Sequence, residues 1–260
     1  MMSTKRKEDI ARSWLKRYTG TGPEAYGDWI LLTNFQNYVE MFAQQFNAQV
    51  RGAGGPMTSA TNSDGLSIIN FGIGSANAAT IMDLLSAIQP KGVLFLGKCG
   101  GVKQSTEIGH FILPVAAIRG EGTSDDYFPG EVPAMPSFKL HKYVSQILVE
   151  RQLEYRTGVI YTTNRRVWEH DEVFKEYLRE IRVLGIDMET ATIFITGLAN
   201  SIARGALLLV SDRPMTPEGI KTEESDSAIT LKYTNLHLDI GIQAMSRIDS
   251  EGEAIKHYLY

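Results

Sequence analysis

The chain has 260 residues, 43% of them apolar and 22% charged, with a formal net charge of −4. No apolar run approaches the ~20 residues of a membrane-spanning helix, and Lys and Arg are scattered, with no basic footprint for nucleic acid. The single cysteine, Cys99, excludes an intrachain disulfide, and no linker rich in Pro, Gly or Ser divides the chain, so one catalytic domain over residues 1–260 is expected. Met1 to Glu8 lacks the apolar stretch of a signal peptide, which with the single cysteine makes a reducing cytoplasm the expected compartment, and the lack of a basic footprint makes any anionic ligand a small one.

In chain order, an amphipathic helix over about 8–19 is predicted first, centred on Asp9 to Tyr18. Trp29 to Thr33 reads as a strand and Asn37 to Phe46 as its helix; Leu66 to Phe71 is the next strand, and a Gly72-x-Gly74 turn leads into a helix from Ala76 to Ile88. Gly92 to Leu96 is a short buried strand, and Ile108 to Ile118 a longer one in which Pro114 predicts a bulge or an edge. Gly120 to Pro136 reads as a long loop. Helix and strand then alternate through Phe138–Leu153, Gly158–Tyr161, Glu172–Ile181, Gly185–Asp187, Glu189–Ala203 and Ala206–Val210, before a final helix from about Asp226 to Met245. The alternation predicts an α/β fold.

Several segments carry chemistry. Leu207 to Val210 followed by Ser211-Asp212-Arg213-Pro214 is an apolar strand ending on a carboxylate. In an α/β protein such a strand end faces the ligand crevice, so Asp212 is a candidate acid; capping the following turn is the competing role. Gly97-Lys98-Cys99-Gly100-Gly101 is either a backbone cradle for an anion or a glycine-rich turn with a solvated lysine. Glu189 opens a helix, where it either caps or accepts hydrogen bonds from a vicinal diol. Arg165 and Arg166 follow Thr162-Thr163-Asn164 at another strand end, as an anion clamp or a solvated pair, and Trp168 either stacks on a flat base or packs in the core. The Gly72-x-Gly74 turn lacks the third glycine and the later acid of a dinucleotide site, so a tight turn with Ser75 as N-cap is expected. The five histidines have no metal-site spacing, no Gly-x-Ser-x-Gly elbow occurs, and Trp168 to Glu172 reads as a polar helix entrance; neither a metal nor a cofactor is expected.

Taken together, the Gly97–Gly101, Asp187–Thr190 and Ser211-Asp212 segments resemble the nucleoside phosphorylase superfamily. Within it, Arg119 to Asp125, Tyr161 to His170 and Ser211 to Met215 resemble the AMP nucleosidases, over about Trp29 to Met245. The resemblance implies a three-layer α/β/α fold with a mixed, partly barrel-like central sheet, hydrolysis of AMP to adenine and ribose 5-phosphate, and a homo-oligomer, a hexamer built as a trimer of dimers, in which a neighbour completes each pocket. It implies that Asp212 supports protonation of purine N7, that Glu189 and Met188 hold the ribose, and that the Val167-Trp168 position supplies the base-stacking aromatic. Longer AMP nucleosidases have an extra N-terminal domain, which is not expected here. The phosphorylases' three phosphate ligands fall on Asn34, Tyr38 and Phe95, and Lys98 replaces a small hydroxyl, so free phosphate is not the expected nucleophile. The arginine that partners the phosphorylases' aspartate is represented only by Lys221.

Adenine departs poorly as an anion, so general acid help at N7 is expected from Asp212, which must then sit where a carboxyl keeps its proton. An ionised Glu189 would orient the ribose diol and steady positive charge on the sugar. Asn34 and Gln36 are candidates to orient the attacking water, and Arg165, Arg166, Thr123 and Ser124 to hold the 5′-phosphate, with Lys98 as an alternative. Two other activities compete: cleavage of unphosphorylated purine nucleosides, and nucleotide binding by a non-catalytic regulator.

Overall fold

The computed structural model describes the backbone of residues 6–220 and 223–250 and the side chains of 6–220 and 232–250. The elements are α1 (Lys7–Thr19), β1 (Trp29–Thr33), α2 (Gln36–Phe46), β2 (Thr58–Thr61), β3 (Leu66–Asn70), α3 (Ser75–Leu84), β4 (Gly92–Gly101), β5 (Phe111–Gly120), α4 (Phe138–Glu150), β6 (Tyr155–Thr163), α5 (Glu172–Glu180), β7 (Gly185–Asp187), α6 (Thr190–Ala199), β8 (Arg204–Asp212) and α7 (Glu223–Ser250). All eight strands join one sheet. β1 lies parallel between β3 and β4, and β2 runs antiparallel along β3. Beyond β4 the sheet closes on itself: β4 pairs with β7 at one end and with β8 along its length, while β7, β6, β5 and β8 pair in turn. The result is a five-stranded barrel with a three-stranded arm.

The apolar runs explain why this sheet is covered on both faces. Every residue of β1 and of β4 is buried, as expected for strands with helices above and below. Strand alternation sends Ile30, Leu32, Leu208 and Val210 to one side, where they pack with Ala78, Met82 and Phe194 of α3 and α6. It sends Leu31, Leu94, Leu207 and Leu209 to the other, against Phe42, Val144 and Met245 of α2, α4 and α7. The expected three-layer fold with a partly closed mixed sheet is thus present.

The differences from the sequence expectations have local causes. The polar strand Thr58–Thr61 was not foreseen; it lies at the sheet edge, paired along β3 and flanked on its outer side by an isolated bridge between Arg51 and Ser59. Gly97–Gly101, read as either an anion cradle or a turn with a solvated lysine, is the second half of β4, and Lys98 within it is buried. Ser75 is the first residue of α3, not its cap: Gly74 holds the cap position at φ 97°, and Ser75 Oγ donates to the Met188 carbonyl at 2.6 Å. Pro114 does mark a bulge, the β5–β6 register shifting between Pro114 and Ala116. β6 begins earlier and α7 runs further than their apolar cores suggest. Lys221 lies outside the described residues.

Two buried histidines staple helices to β8. His141 Nε2 accepts the Ala206 N–H at 3.1 Å, and His237 bridges Leu207 O and the Tyr38 hydroxyl, both at 2.9 Å. A carbonyl can only accept, so His237 Nε2 carries the proton and Nδ1 accepts from Tyr38. Burial holds both imidazoles neutral, with pKa values pushed down to about 3. The unfolded chain therefore binds protons that the folded chain does not, from the ordinary histidine pKa down to about 3, and folding weakens as pH falls through that window. Urea unfolding should show stability falling by up to about 1.4 kcal/mol per pH unit per histidine below about pH 6. His141→Phe should flatten this slope; an unchanged slope would contradict the assignment.

Candidate active site

The C-terminal ends of β1, β4, β6, β7 and β8 converge on a cleft of about 250 Å³, the position at which open α/β sheets bind ligands. Asp212 and Glu189 both line it, together with Asn34, Lys98, Arg165, Arg166, Trp168 and Met188.

Asp212 reaches the cleft through a bulge. Cys99 is opposite Val210 but Gly100 is opposite Asp212, so Ser211 is the extra residue that re-aims the strand end. Ser211 Oγ donates to Asp212 Oδ1 at 2.6 Å and fixes the half-buried carboxyl. The approach depends on Gly100: a Cβ there would stand 2.8 Å from Pro214 Cγ and 3.4 Å from Asp212 Oδ2.

Glu189 takes the N-cap position of α6, yet its side chain does not cap the helix. Asp187 does that work, accepting Thr190 N–H at 2.8 Å, Thr190 Oγ1 at 2.5 Å and Thr162 Oγ1 at 2.7 Å. Glu189 is released to face the cleft, where Oε1 accepts the Gly74 N–H at 2.7 Å. The left-handed backbone at Gly74, open to glycine and costly for other residues, is what aims that N–H. Burial raises the Glu189 pKa and the nearby Asp187 carboxylate raises it further, against hydrogen bonds from Gly74, Met188 and the Asn34 side chain. Glu189 is thus driven toward its protonated form, where the sequence reading expected an ionised group. Asp187 is raised by burial too, opposed by its threonine hydrogen bonds.

The other expected residues divide. Asn34 turns its amide toward Glu189, and its Oδ1 is buried with no hydrogen-bond partner among the described residues. Lys98 Nζ lies 4.5 Å from the centroid of the Phe35 ring, a cation–π contact inside the cleft wall. Arg165 pairs with Asp171 at 3.0 Å and Arg166 with Glu169 at 3.4 Å. Asp171 is also the N-cap of α5, accepting Phe174 N–H at 3.0 Å, as the polar helix entrance foretold. Trp168 lines the cleft and, 4% exposed, packs edge-on against Phe174.

Four residues stand apart from the cleft. Gln36 is engaged by Thr58, Asn70 and Glu40. Ser124 is fully buried, its Oγ accepting from Arg119 Nε and its N–H donating to Glu121. Thr123 opens the 3₁₀ turn that packs against α3 and α6, and Val167 is 72% exposed. Thr123 and Ser124, expected to hold the 5′-phosphate with the arginines, thus do not line the cleft that Arg165 and Arg166 line. Tyr38 and Phe95, onto which the resemblance put phosphate ligands of the phosphorylases, are both fully buried, Tyr38 bonded to His237 and Phe95 packed on Phe71. Sequence reasoning missed Phe35, Gly74 and the capping role of Asp187; the only signals were a glycine pair and an Asp three residues before a threonine.

The phosphorylase superfamily model matches residues 29–236, most of the chain and all of the strands. The chain belongs to this superfamily. It is 28% identical to the AMP nucleosidase of Escherichia coli K12 over 96% of its own length and 61% of that protein's, so it spans under two thirds of this relative. The crystal structure of an AMP nucleosidase from Bacteroides thetaiotaomicron superposes with a TM-score of 0.85 at 46% identity, covering 95% of this chain and 99% of that one. A uridine phosphorylase from Vibrio fischeri, 18% identical, superposes with a TM-score of 0.77 over 92% of this chain and 99% of its own, and shares the fold.

Because a buried, repelled carboxyl costs more to keep the more it ionises, Glu189→Gln should stabilise the protein. The gain should be small near about pH 5 and reach at least about 1 kcal/mol near about pH 8 by urea unfolding, since the raised pKa penalises folding as pH rises toward it. A variant less stable than the parent at both pH values would refute this balance.

Proposed function

We propose that the chain hydrolyses the N-glycosidic bond of AMP, giving adenine and ribose 5-phosphate. The observation that carries this reading is the joint presence of Asp212 and a cap-free Glu189 on one cleft, while Tyr38 and Phe95 are committed to the core. The 46% identity to a protein solved as an AMP nucleosidase supports the same substrate. In this mechanism Asp212 gives a proton or a strong hydrogen bond to purine N7, so that adenine leaves without full negative charge, and Ser211 holds its carboxyl in place. The ribose diol donates to Glu189 and draws it toward the ionised form, which then stabilises the cationic sugar. Met188 packs on the ribose, Trp168 on the base, and Arg165 and Arg166 turn from Asp171 and Glu169 to the 5′-phosphate.

Water, the acceptor, is held by Asn34, whose buried Oδ1 has an unused lone pair at the end of β1. Gln36 is excluded from that role by its bonds to Thr58 and Asn70. The same reading makes residues 1–260 one catalytic unit, working in the cytoplasm as a homohexamer, a trimer of dimers. Val167 and Val173, exposed apolar side chains on the segment that follows Arg166, support burial by a neighbour, and light scattering tests the hexamer. A second reading, cleavage of unphosphorylated nucleosides, is favoured by one observation: both arginines already have carboxylate partners.

Purified protein given AMP, adenosine and IMP, with and without inorganic phosphate, should release adenine and ribose 5-phosphate from AMP with no need for phosphate. Ribose 1,5-bisphosphate would overturn hydrolysis, and adenosine cleaved as fast as AMP would establish the second reading. Asp212→Asn should lower kcat by about 100- to 10,000-fold with little change in KM; an unchanged rate removes Asp212 from the chemistry, and tight AMP binding without turnover by the parent would mark a regulator.

Asn34→Ala should lower kcat by about tenfold or more and, in water–methanol mixtures, raise the yield of methyl riboside 5-phosphate relative to ribose 5-phosphate. An unchanged product ratio would exclude Asn34 from holding the water.

A further inference from the structure

Four carboxyl side chains line the cleft: Glu169, Asp187, Glu189 and Asp212. Asp187 is committed to α6, and the proposed reaction uses Glu189 and Asp212, which leaves Glu169 without a part. Glu169 follows Trp168, the residue that this reading sets on the base, and its side chain folds back so that Oε2 accepts the Trp168 N–H at 2.9 Å. Among the described residues Oε1 makes one long contact, 3.4 Å to Arg166 Nη1. Structural duties do not account for this placement. Asp171, not Glu169, caps α5. The Arg166 side chain is 62% exposed and that of Glu169 15%, and a pair with so open a partner stabilises little. Withdrawing a carboxylate from water is costly unless donors replace the water, and one backbone N–H leaves most of its acceptor capacity unmet.

A purine carries its 6-substituent on the same edge as N7, the atom that Asp212 is proposed to serve. In adenine that substituent is an amino group with two N–H donors; in hypoxanthine it is a carbonyl oxygen. A carboxylate has no hydrogen to give, so it bonds the first and repels the second. We infer that Glu169 selects 6-amino purines, its carboxylate accepting a hydrogen bond from the amino group of the base. The inference rests on the AMP reading, which supplies Trp168 as the platform for the base and turns Arg166 to the 5′-phosphate. That turn frees Oε1 as the nucleotide enters, so the phosphate at one end of the substrate readies the acceptor for the other.

Calorimetric titration of the full chain with AMP, IMP and purine riboside 5′-phosphate, which has hydrogen at position 6, tests this in an Asp212→Asn background, where slow turnover leaves the nucleotides intact. Glu169→Gln, whose amide both donates and accepts, should tighten IMP binding by about tenfold or more and change AMP far less. Glu169→Met, with no strong acceptor, should weaken AMP by about tenfold or more, to the affinity of purine riboside 5′-phosphate. That last nucleotide should bind both variants and their parent alike, which shows that the fold is intact. The ratio of kcat/KM for AMP over IMP should fall in the same direction when the two substitutions are made with Asp212 present. Equal shifts for all three nucleotides would make Glu169 a structural residue and overturn the inference, as would an AMP-to-IMP affinity ratio unchanged in both variants. The affinities need no turnover: release of no adenine from AMP by the parent refutes the AMP reading while the ratio still decides the role of Glu169, and cleavage of AMP with an unchanged ratio refutes that role alone.

Discussion

The close approach of three strands at Gly100 is the constraint on which the site depends. There β4 meets β7 on one side and β8 on the other, Gly100 facing Ile186 and Asp212 at once. The crossing has no spare volume: a Cβ on Gly185 would sit 3.0 Å from the Gly100 carbonyl, and one on Gly100 would meet Pro214. Close packing of this kind does not deform continuously, so the two glycines fix how near the ends of β7 and β8 come. Asp212 ends β8, and Glu189 follows β7 by two residues. The spacing of the backbone segments that carry the two carboxyls is thereby set.

A second consequence concerns electrostatics. A helix N-terminus favours a carboxylate, and α6 has two within reach. Asp187 satisfies the helix and is itself surrounded by hydroxyl and amide donors. Glu189 is left buried beside that charge, with its pKa raised. Its protonation state is therefore poised to respond to whatever donors enter the cleft, a property that a simple capping glutamate would lack. The stability lost to this arrangement is of the kind commonly found where a site must hold charge away from water.

The sheet is filled at the positions onto which the resemblance puts the phosphorylases' phosphate ligands. Tyr38 is tied to His237 and Phe95 to the core, and Lys98 is packed on Phe35. An inorganic anion would find aromatic side chains in place of guanidinium groups. In the proposed reading, a change of acceptor from phosphate to water needs no change of fold, because Asp212 and Glu189 still line the cleft at the strand ends.

Much of this was legible in the amino-acid order. The apolar runs Trp29–Thr33 and Leu207–Val210 mark buried strands because a strand covered on both faces has no polar side to show, and a carboxylate ending such a run is out of place unless it faces a ligand. The polar edge strand Thr58–Thr61 and the continuation of β4 through Gly97–Gly101 were not legible, since β2 lacks an apolar pattern and glycines read as turns until a neighbouring backbone occupies the space of their missing side chains. Local sequence likewise determined that residues 187–190 would open a helix with acids, while only tertiary packing decided which acid caps it, because that choice turns on Thr162 and Gly74, distant in sequence. It also decided that Ser124 and Gln36 are spent on structure and that Asn34 keeps an acceptor in hand. The types of chemical group were written locally; their partners, and hence their availability, depended on contacts between segments that the linear pattern does not order.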